Sequence, residues 1–179
     1  MTAFLVDGDL EQKFIQLICP GKKVLKIGCN GKTVKSEAIA KRIKTLIRTM
    51  QDNTPVIVCI DLESRKMSAV EFENELIAEL KAIEVNMATL VITVIDQMIE
   101  NWILADEEAT GLSRKASQAD GFGGKGRIKA QLPHYHETTQ GVEFLKKVRP
   151  SVAKLYSPSF FRFFSASQAQ LKDCWWMQR

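Results

Sequence analysis

The sequence predicts an α/β protein with a Rossmann-like, mostly parallel four-stranded sheet, flanked by helices and followed by a helical C-terminal extension. Two observations support this. Short apolar segments alternate with amphipathic helical patterns along the first part of the chain, and three of the four apolar segments end at an aspartate. Strands that are separated by helices are typical of crossover connections, and therefore of a parallel sheet.

The first two strands are each followed by a predicted helix. An apolar segment at 3–6 ends at Asp7, and Asp9 is a candidate cap for a helix whose apolar residues fall on one face. A shorter strand at 24–27 leads through a turn at 28–31 to a longer amphipathic helix. The sequence thus opens with two strand and helix units.

The third strand is the most apolar of the four. It covers 56–60, ends at Asp61 and is followed by a helix at about 68–83. Such a continuous apolar run fits a central strand that is buried on both faces. A fourth strand at 90–95 stops at Asp96, where another helix begins.

The pattern changes after these four units. We assign 1–107 to the α/β core, 108–131 to a glycine-rich basic loop and 132–179 to a helical extension that covers one face of the sheet. The length of 179 residues and the hydrophobic content of 45% suit one domain with one substantial core. Four phenylalanines in the extension are expected to pack in that core rather than to stack on bases: Phe160, Phe161, Phe163 and Phe164.

The sequence also predicts the cellular location of the protein. No window approaches the roughly 18 to 20 apolar residues of a membrane span, so we expect a cytoplasmic protein without membrane association. The four cysteines have no CxxC spacing, so we expect reduced thiols and no zinc site. A formal charge of +4 permits contact with nucleic acid without arguing for it.

The candidate chemistry lies in acids at the predicted strand ends. The carboxyl ends of parallel strands meet at one edge of a sheet, so Asp7, Asp61 and Glu63 are predicted to converge within metal-bridging distance. Their hard oxygen ligands suit Mg²⁺ or Mn²⁺. Glu100 lies one helical turn after Asp96 and can reach the same edge. The alternatives are that the strand-end acids only cap the following helices, and that Glu100 is a solvated helix residue.

Three basic residues of the glycine-rich segment are candidates for binding a phosphodiester backbone: Lys125, Arg127 and Lys129. Lys125 is also a candidate to neutralise charge that develops on a phosphoryl group. The alternative is a loop that is basic only for solubility.

Several of these segments resemble a known family. The strand and turn at 4–11 and the strand end at 56–63 resemble the Toprim fold of topoisomerases, primases and OLD-type nucleases. The segments at 99–106, 124–129 and 157–160 are similar to segments of small stand-alone bacterial Toprim-like proteins. The resemblance therefore extends over most of the chain, although each motif is short.

The resemblance implies metal-dependent cleavage of nucleic acid. It implies that Asp7 acts as general acid or base, that Asp61 and Glu63 hold the metal, and that an ATPase partner works with the chain in defence against phage. The family pattern has Glu after the first strand and Asp-x-Asp after the third, whereas this chain has Asp7 and an Asp-x-Glu. Asp7 is one methylene shorter, so it would act through water, serve as a metal ligand, or mark a degenerate site that still binds.

Two other functions fit parts of the pattern. A phospho-receiver module would use Asp7, Asp9 and Asp61, although we find no clear lysine partner for it. A non-catalytic subunit would bind a partner through its aromatic C-terminus, at Trp175 and Trp176. The sequence leaves open the choice between DNA and RNA and whether the chain forms a homo-oligomer.

Overall fold

A computed structural model describes residues 1–29, 31, 33–50 and 53–178 of the chain. The turn predicted at 28–31 includes Asn30, which lies outside these residues.

The core is a sheet of four parallel strands in the order β2-β1-β3-β4. The strands are β1 (Ala3–Val6), β2 (Val24–Lys26), β3 (Val56–Asp61) and β4 (Leu90–Ile95). This confirms the predicted α/β, Rossmann-like class and all four predicted strands. Strand β3 is interior, and five of its residues are buried.

Helices pack on both faces of the sheet. They are α1 (Asp9–Ile18), α2 (Ser36–Arg48), α3 (Ala69–Ala82), α4 (Glu100–Leu104), α5 (Glu107–Thr110), α6 (Gly124–Gln131), α7 (Val142–Lys147), α8 (Pro150–Tyr156) and α9 (Pro158–Ser167). A π-helix covers Glu137–Gly141, and 3₁₀ turns cover Met87–Thr89 and Trp175–Gln178.

Alternation along the strands gives the sheet two apolar faces. One face, which includes Leu5 and Val58, packs against α2 and α3. The other, which includes Phe4 and Cys59, packs against α1, α4 and the C-terminal helices. The extension therefore covers one face, as predicted. Phe160 and Phe163 are fully buried there, whereas Phe161 is exposed.

The prediction that all of 108–131 is a loop is wrong. Its last eight residues form α6, although they include two glycines, which are poor helix formers. The reason is tertiary packing, because α6 lies against α4 so closely that a Cβ atom on Gly124 would stand 2.4 Å from Oδ1 of Asn101. Glycine is therefore required at this contact, and composition misled the prediction.

The prediction that all four thiols are reduced is also wrong. Cys19 and Cys174 form a disulfide across 155 residues of sequence, while Cys29 and Cys59 are free. The two cysteines meet because the C-terminus folds back over the end of α1, where Trp176 packs edge-on against Phe14 at 5.0 Å. Sequence spacing carries no information on such a contact. Disulfides are rare in the cytosol, so this disulfide does not support the predicted cytoplasmic location. That location stays a prediction.

No helix within the described part of the chain is long and apolar enough to cross a lipid bilayer.

Candidate active site

The first and third strands deliver their terminal acids to the same edge of the sheet. Strands β1 and β3 are parallel neighbours, and Val6 pairs with Cys59. Asp7 and Asp61 therefore leave the sheet side by side at its carboxyl edge. The prediction that both acids lie at this edge is confirmed.

A cavity of about 420 Å³ opens at this edge. Seven acidic side chains and two lysines contribute to its wall: Asp7, Asp9, Glu11, Asp61, Glu63, Glu100, Glu137, Lys26 and Lys125. Acids outnumber bases by five, so the cavity attracts cations. All four acids that we predicted as metal ligands are in this wall.

Asp7 is 5% exposed. Burial raises the pKa of its carboxyl to about 6, and the nearby charge of Glu63 adds to the rise. The backbone of Asp61 and the charge of Arg65 only partly offset it. A carboxyl with this pKa can hold or release a proton near neutral pH.

Asp61 has the least satisfied carboxyl of the group. Its Oδ1 atom is buried and has no hydrogen-bond partner among the residues that the structure describes. Burial raises the pKa of Asp61 well above its usual range, and the charges of Glu11 and Asp7 raise it further. A buried carboxylate oxygen normally has a donor or a cation beside it, so Oδ1 marks where one would bind.

Glu63 follows β3 in an uncommon backbone conformation. Its φ is +58°, in the left-handed region, and Gln97 beyond the end of β4 has a φ of +54°. The Glu63 N–H donates to the carbonyl of Gln97 at 2.8 Å, which ties the two turns together. Residues other than glycine adopt this region at a cost, and such residues concentrate at functional sites.

Glu11 belongs to the site but was missed from the sequence. It is 5% exposed, and its Oε2 accepts a hydrogen bond of 3.0 Å from the N–H of Gly8 at the start of α1. Burial raises its pKa to about 7, with further contributions from the charges of Asp7 and Glu100. The available signal was its position in the first turn of the helix that follows Asp7.

Glu100 is buried rather than solvated, so the alternative reading of this residue is wrong. It is the first residue of α4 and is 4% exposed. Burial raises its pKa, and the charge of Glu137 raises it further. Glu137, from the π-helix, is a second site acid that was missed, because it lies 37 residues away in sequence and reaches the cavity only through the tertiary fold.

Lys125 is the basic residue of α6 that reaches the cavity. The close contact of Gly124 with α4 sets its position, and its Nζ pairs with Glu137. The hydrogen bond to Glu137 raises the pKa of Lys125, and the charges of Glu100 and Glu63 contribute. Lys125 therefore stays protonated beside the acids of the cavity.

The other two predicted phosphate-binding residues are not in the wall of the cavity. Arg127 donates to the carbonyl of Ala119 at 3.0 Å and lies over the Phe122 ring, 5.0 Å from its centroid. Lys129 is exposed on α6. The predicted basic group is therefore divided, with Lys125 at the site and the other two elsewhere on the helix.

Some of the remaining residues behind the resemblance have structural contacts. The Trp102 indole N–H donates to Ser159 Oγ at 3.2 Å, and Ser157 Oγ donates to the buried Asp120 at 2.7 Å. Asp106 accepts hydrogen bonds from Arg149. These contacts tie α4, Asp106 and the loop at Asp120 to the C-terminal extension.

The acids fit a hard divalent cation by chemistry, and Asp61 Oδ1 provides an unpartnered buried ligand atom. However, no three His, Cys, Asp or Glu side chains among the described residues are close enough to hold an ion as they stand. The predicted metal-bridging distance between Asp7, Asp61 and Glu63 is therefore not preformed. Carboxylates that face one another without a cation repel, which favours such a spread arrangement.

The chain matches no family model, no curated protein and no solved structure.

Proposed function

We propose that this protein is a Mg²⁺- or Mn²⁺-dependent nuclease that cleaves phosphodiester bonds in nucleic acid. The observation that carries the proposal is the buried, unpartnered Oδ1 of Asp61 inside a cavity of crowded carboxylates with Lys125 in its wall. Structural acids are normally paired, whereas acids that hold a metal and handle protons are crowded, buried and raised in pKa.

The proposed roles follow from burial and charge. Asp61, Glu63, Asp7 and Glu100 would hold the cation, which supplies Lewis-acid stabilisation of phosphoryl oxygens. Lys125 would hold a non-bridging phosphate oxygen. Glu11, whose pKa burial raises to about 7, is suited to accept a proton from an attacking water at neutral pH, and Asp7, with a pKa of about 6, would share this role only while it does not bind the cation.

An ATPase partner and a role in defence against phage belong to the same proposal through the Toprim resemblance.

The two competing functions, a phospho-receiver and a non-catalytic partner-binding subunit, have less support. Trp176 is fully buried within the chain, which leaves Trp175, 38% exposed, for a partner. A phospho-receiver would use Asp9 in its phosphorylation site, but the carboxylate of Asp9 already pairs with Lys26 at 2.7 Å. Absence of labelling by a small phosphodonor would separate the nuclease from a receiver.

The deciding experiment is cleavage of single-stranded and duplex nucleic acids with Mg²⁺, with Mn²⁺ and with EDTA. Asp61→Ala should lose about a thousandfold or more of the metal-dependent rate, because a metal contributes several kcal/mol to the transition state. Asp173→Ala is the matched control, since this acid pairs with Lys22 on the surface and should cleave like the unmodified protein. Full cleavage by Asp61→Ala would assign the activity to a contaminant.

Lys125→Ala should weaken substrate binding and lower the slope of log affinity against log salt by about one, because one phosphate contact is lost. Lys129→Ala, on the same helix but outside the cavity, is its control. Equal effects of the two variants on binding would show that Lys125 does not make the proposed contact with a phosphate.

A further inference from the structure

A second cavity lies beside the carboxylate cavity. It has a volume of about 480 Å³, and Thr138 contributes to the walls of both. The two cavities are therefore neighbours, separated by the segment that contains Thr138.

The shared wall is the π-helix at Glu137–Gly141. Glu137 and Thr138 face the carboxylate cavity, while Thr138, Thr139 and Gln140 face the second one. Lys13 of α1 also lines the second cavity and donates to the carbonyl of Thr138 at 3.4 Å. π-Helices are rare, and short ones are frequent at functional sites.

The second cavity combines an aromatic ring with positive charge. Phe144 is half-buried in its wall, and Lys147 Nζ lies 5.8 Å from the centroid of that ring. Lys13 supplies a second cation, and the acid in the wall, Glu143, pairs with Lys146 at 3.7 Å. An aromatic ring in a wall that also carries lysines is the combination with which proteins hold unpaired nucleotides.

We propose that the second cavity binds the nucleotide next to the scissile phosphate, with its base on Phe144 and its phosphate between Lys13 and Lys147. This inference rests on the proposed nuclease function and names its substrate class. A base that enters a cavity is not paired in a duplex, so the substrate is single-stranded DNA or RNA, or a duplex end or flap.

The test measures equilibrium binding, so that cleavage is not needed for its readout. Fluorescence anisotropy compares a fluorescein-labelled oligothymidylate with an abasic oligomer of equal length on the Asp61→Asn protein in EDTA, so that neither oligomer is cleaved. The oligothymidylate should bind about tenfold more tightly, since stacking of one base is worth between about fivefold and about a hundredfold. Phe144→Leu, which keeps apolar packing, should remove this preference and leave binding of the abasic oligomer unchanged.

Lys147→Glu provides a second variant on an exposed residue, where folding is not at risk. It should weaken binding of both oligomers by a similar factor, because a phosphate contact does not depend on the base. The matched controls are Phe164→Leu and Lys154→Glu, since Lys154 Nζ lies 5.7 Å from the centroid of the Phe164 ring and neither residue is in the wall of the two cavities. Neither control should change the preference.

The outcomes separate this inference from the nuclease proposal. Equal binding of the two oligomers, or a preference that survives in Phe144→Leu, overturns the base site even where the unmodified protein cleaves. A preference that depends on Phe144, found in a protein that cleaves nothing, supports the base site and removes the nuclease. Failure to bind either oligomer overturns both and leaves the partner-binding reading.

Discussion

Two aspartates of this chain, the buried Asp106 and the half-buried Asp61, have opposite surroundings. Asp106 is fully buried, and its oxygens accept hydrogen bonds from Ala109 N–H at 3.2 Å and from the Arg149 backbone and guanidinium at 2.7 to 2.9 Å. Burial opposes its charge, but the hydrogen bonds from Arg149 outweigh burial and lower its pKa. Asp61 has a buried oxygen without a partner among the described residues, and other carboxylates around it.

The difference separates an acid that stabilises the fold from one that is suited to bind a ligand. The oxygens of Asp106 already accept hydrogen bonds from Arg149, so this carboxylate is not available to bind a substrate. When no cation is bound, the unpaired carboxyl of Asp61 lowers the stability of the protein. A bound cation would give this carboxyl the partner that it lacks. Four measurable consequences distinguish the two sites.

The largest effect on stability should come from Asp106→Asn. The amide would place an N–H₂ group against the donors of Arg149, so we expect the free energy of unfolding to fall by about 3 kcal/mol. The same change at Asp61 should have the opposite sign, with a gain of up to about 1 kcal/mol, because it removes a repelled charge. Urea unfolding in EDTA measures both. A comparable loss in the two variants would mean that Asp61 is also a structural acid.

Divalent metal should stabilise the protein through Asp61 and not through Asp106. At a concentration one hundred times the dissociation constant, Mg²⁺ or Mn²⁺ should add about 2.7 kcal/mol to the free energy of unfolding. Thermal unfolding should then move upward by roughly 5 to 10 °C relative to EDTA. Asp106→Asn should keep this shift from its lower starting point, whereas Asp61→Asn should lose it. No shift in the unmodified protein, after exhaustive chelation, would remove the metal site.

Much of the site could be predicted because strand order and strand ends are local in sequence. Asp7 and Asp61 each follow an apolar run, and a parallel sheet brings such ends together. Glu11 and Glu137 were missed for different reasons. Glu11 also caps α1, which hides a second role, whereas Glu137 reaches the cavity from the distant π-helix.

The wrong predictions of a loop at 108–131 and of four reduced thiols have the same origin in tertiary contacts. Glycines in 108–131 indicated a loop, but Gly124 is where α6 packs on α4 without room for a side chain. Cys19 and Cys174 have no motif spacing, and only the return of the C-terminus brings them together. Local patterns therefore predicted the sheet and the acids at its edge, but not α6 and the disulfide, which depend on tertiary contacts.

The smallest effect is the pH dependence of the protein without metal, and it has opposite signs at the two sites. Asp7 and Glu11 have folded pKa values of about 6 and about 7, above their usual values of 3.8 and 4.5. Their contribution to stability is therefore fully present below about pH 4 and is lost as the pH rises through 6 and 7. Between pH 7 and pH 5 the unfolding free energy in EDTA should rise by roughly 1 kcal/mol from Asp7 alone, at 1.36 kcal/mol per pKa unit.

Asp106 titrates in a different window. Its pKa is lowered, so its contribution is present above the ordinary value of 3.8 and is lost only as the pH falls through its folded value. The unmodified protein should therefore be most stable in EDTA at about pH 4 to 5, between the two windows. Asp61→Asn should reduce the gain between pH 7 and pH 5, because it removes a carboxyl whose pKa is raised by burial and by the charges of Glu11 and Asp7. With saturating Mg²⁺ the slope should reverse, since the metal competes with protons for the same oxygens. A stability that stays flat from pH 7 to pH 5 in EDTA would mean that the carboxylates are not crowded in solution, and the reason for a cation at Asp61 would be lost with it.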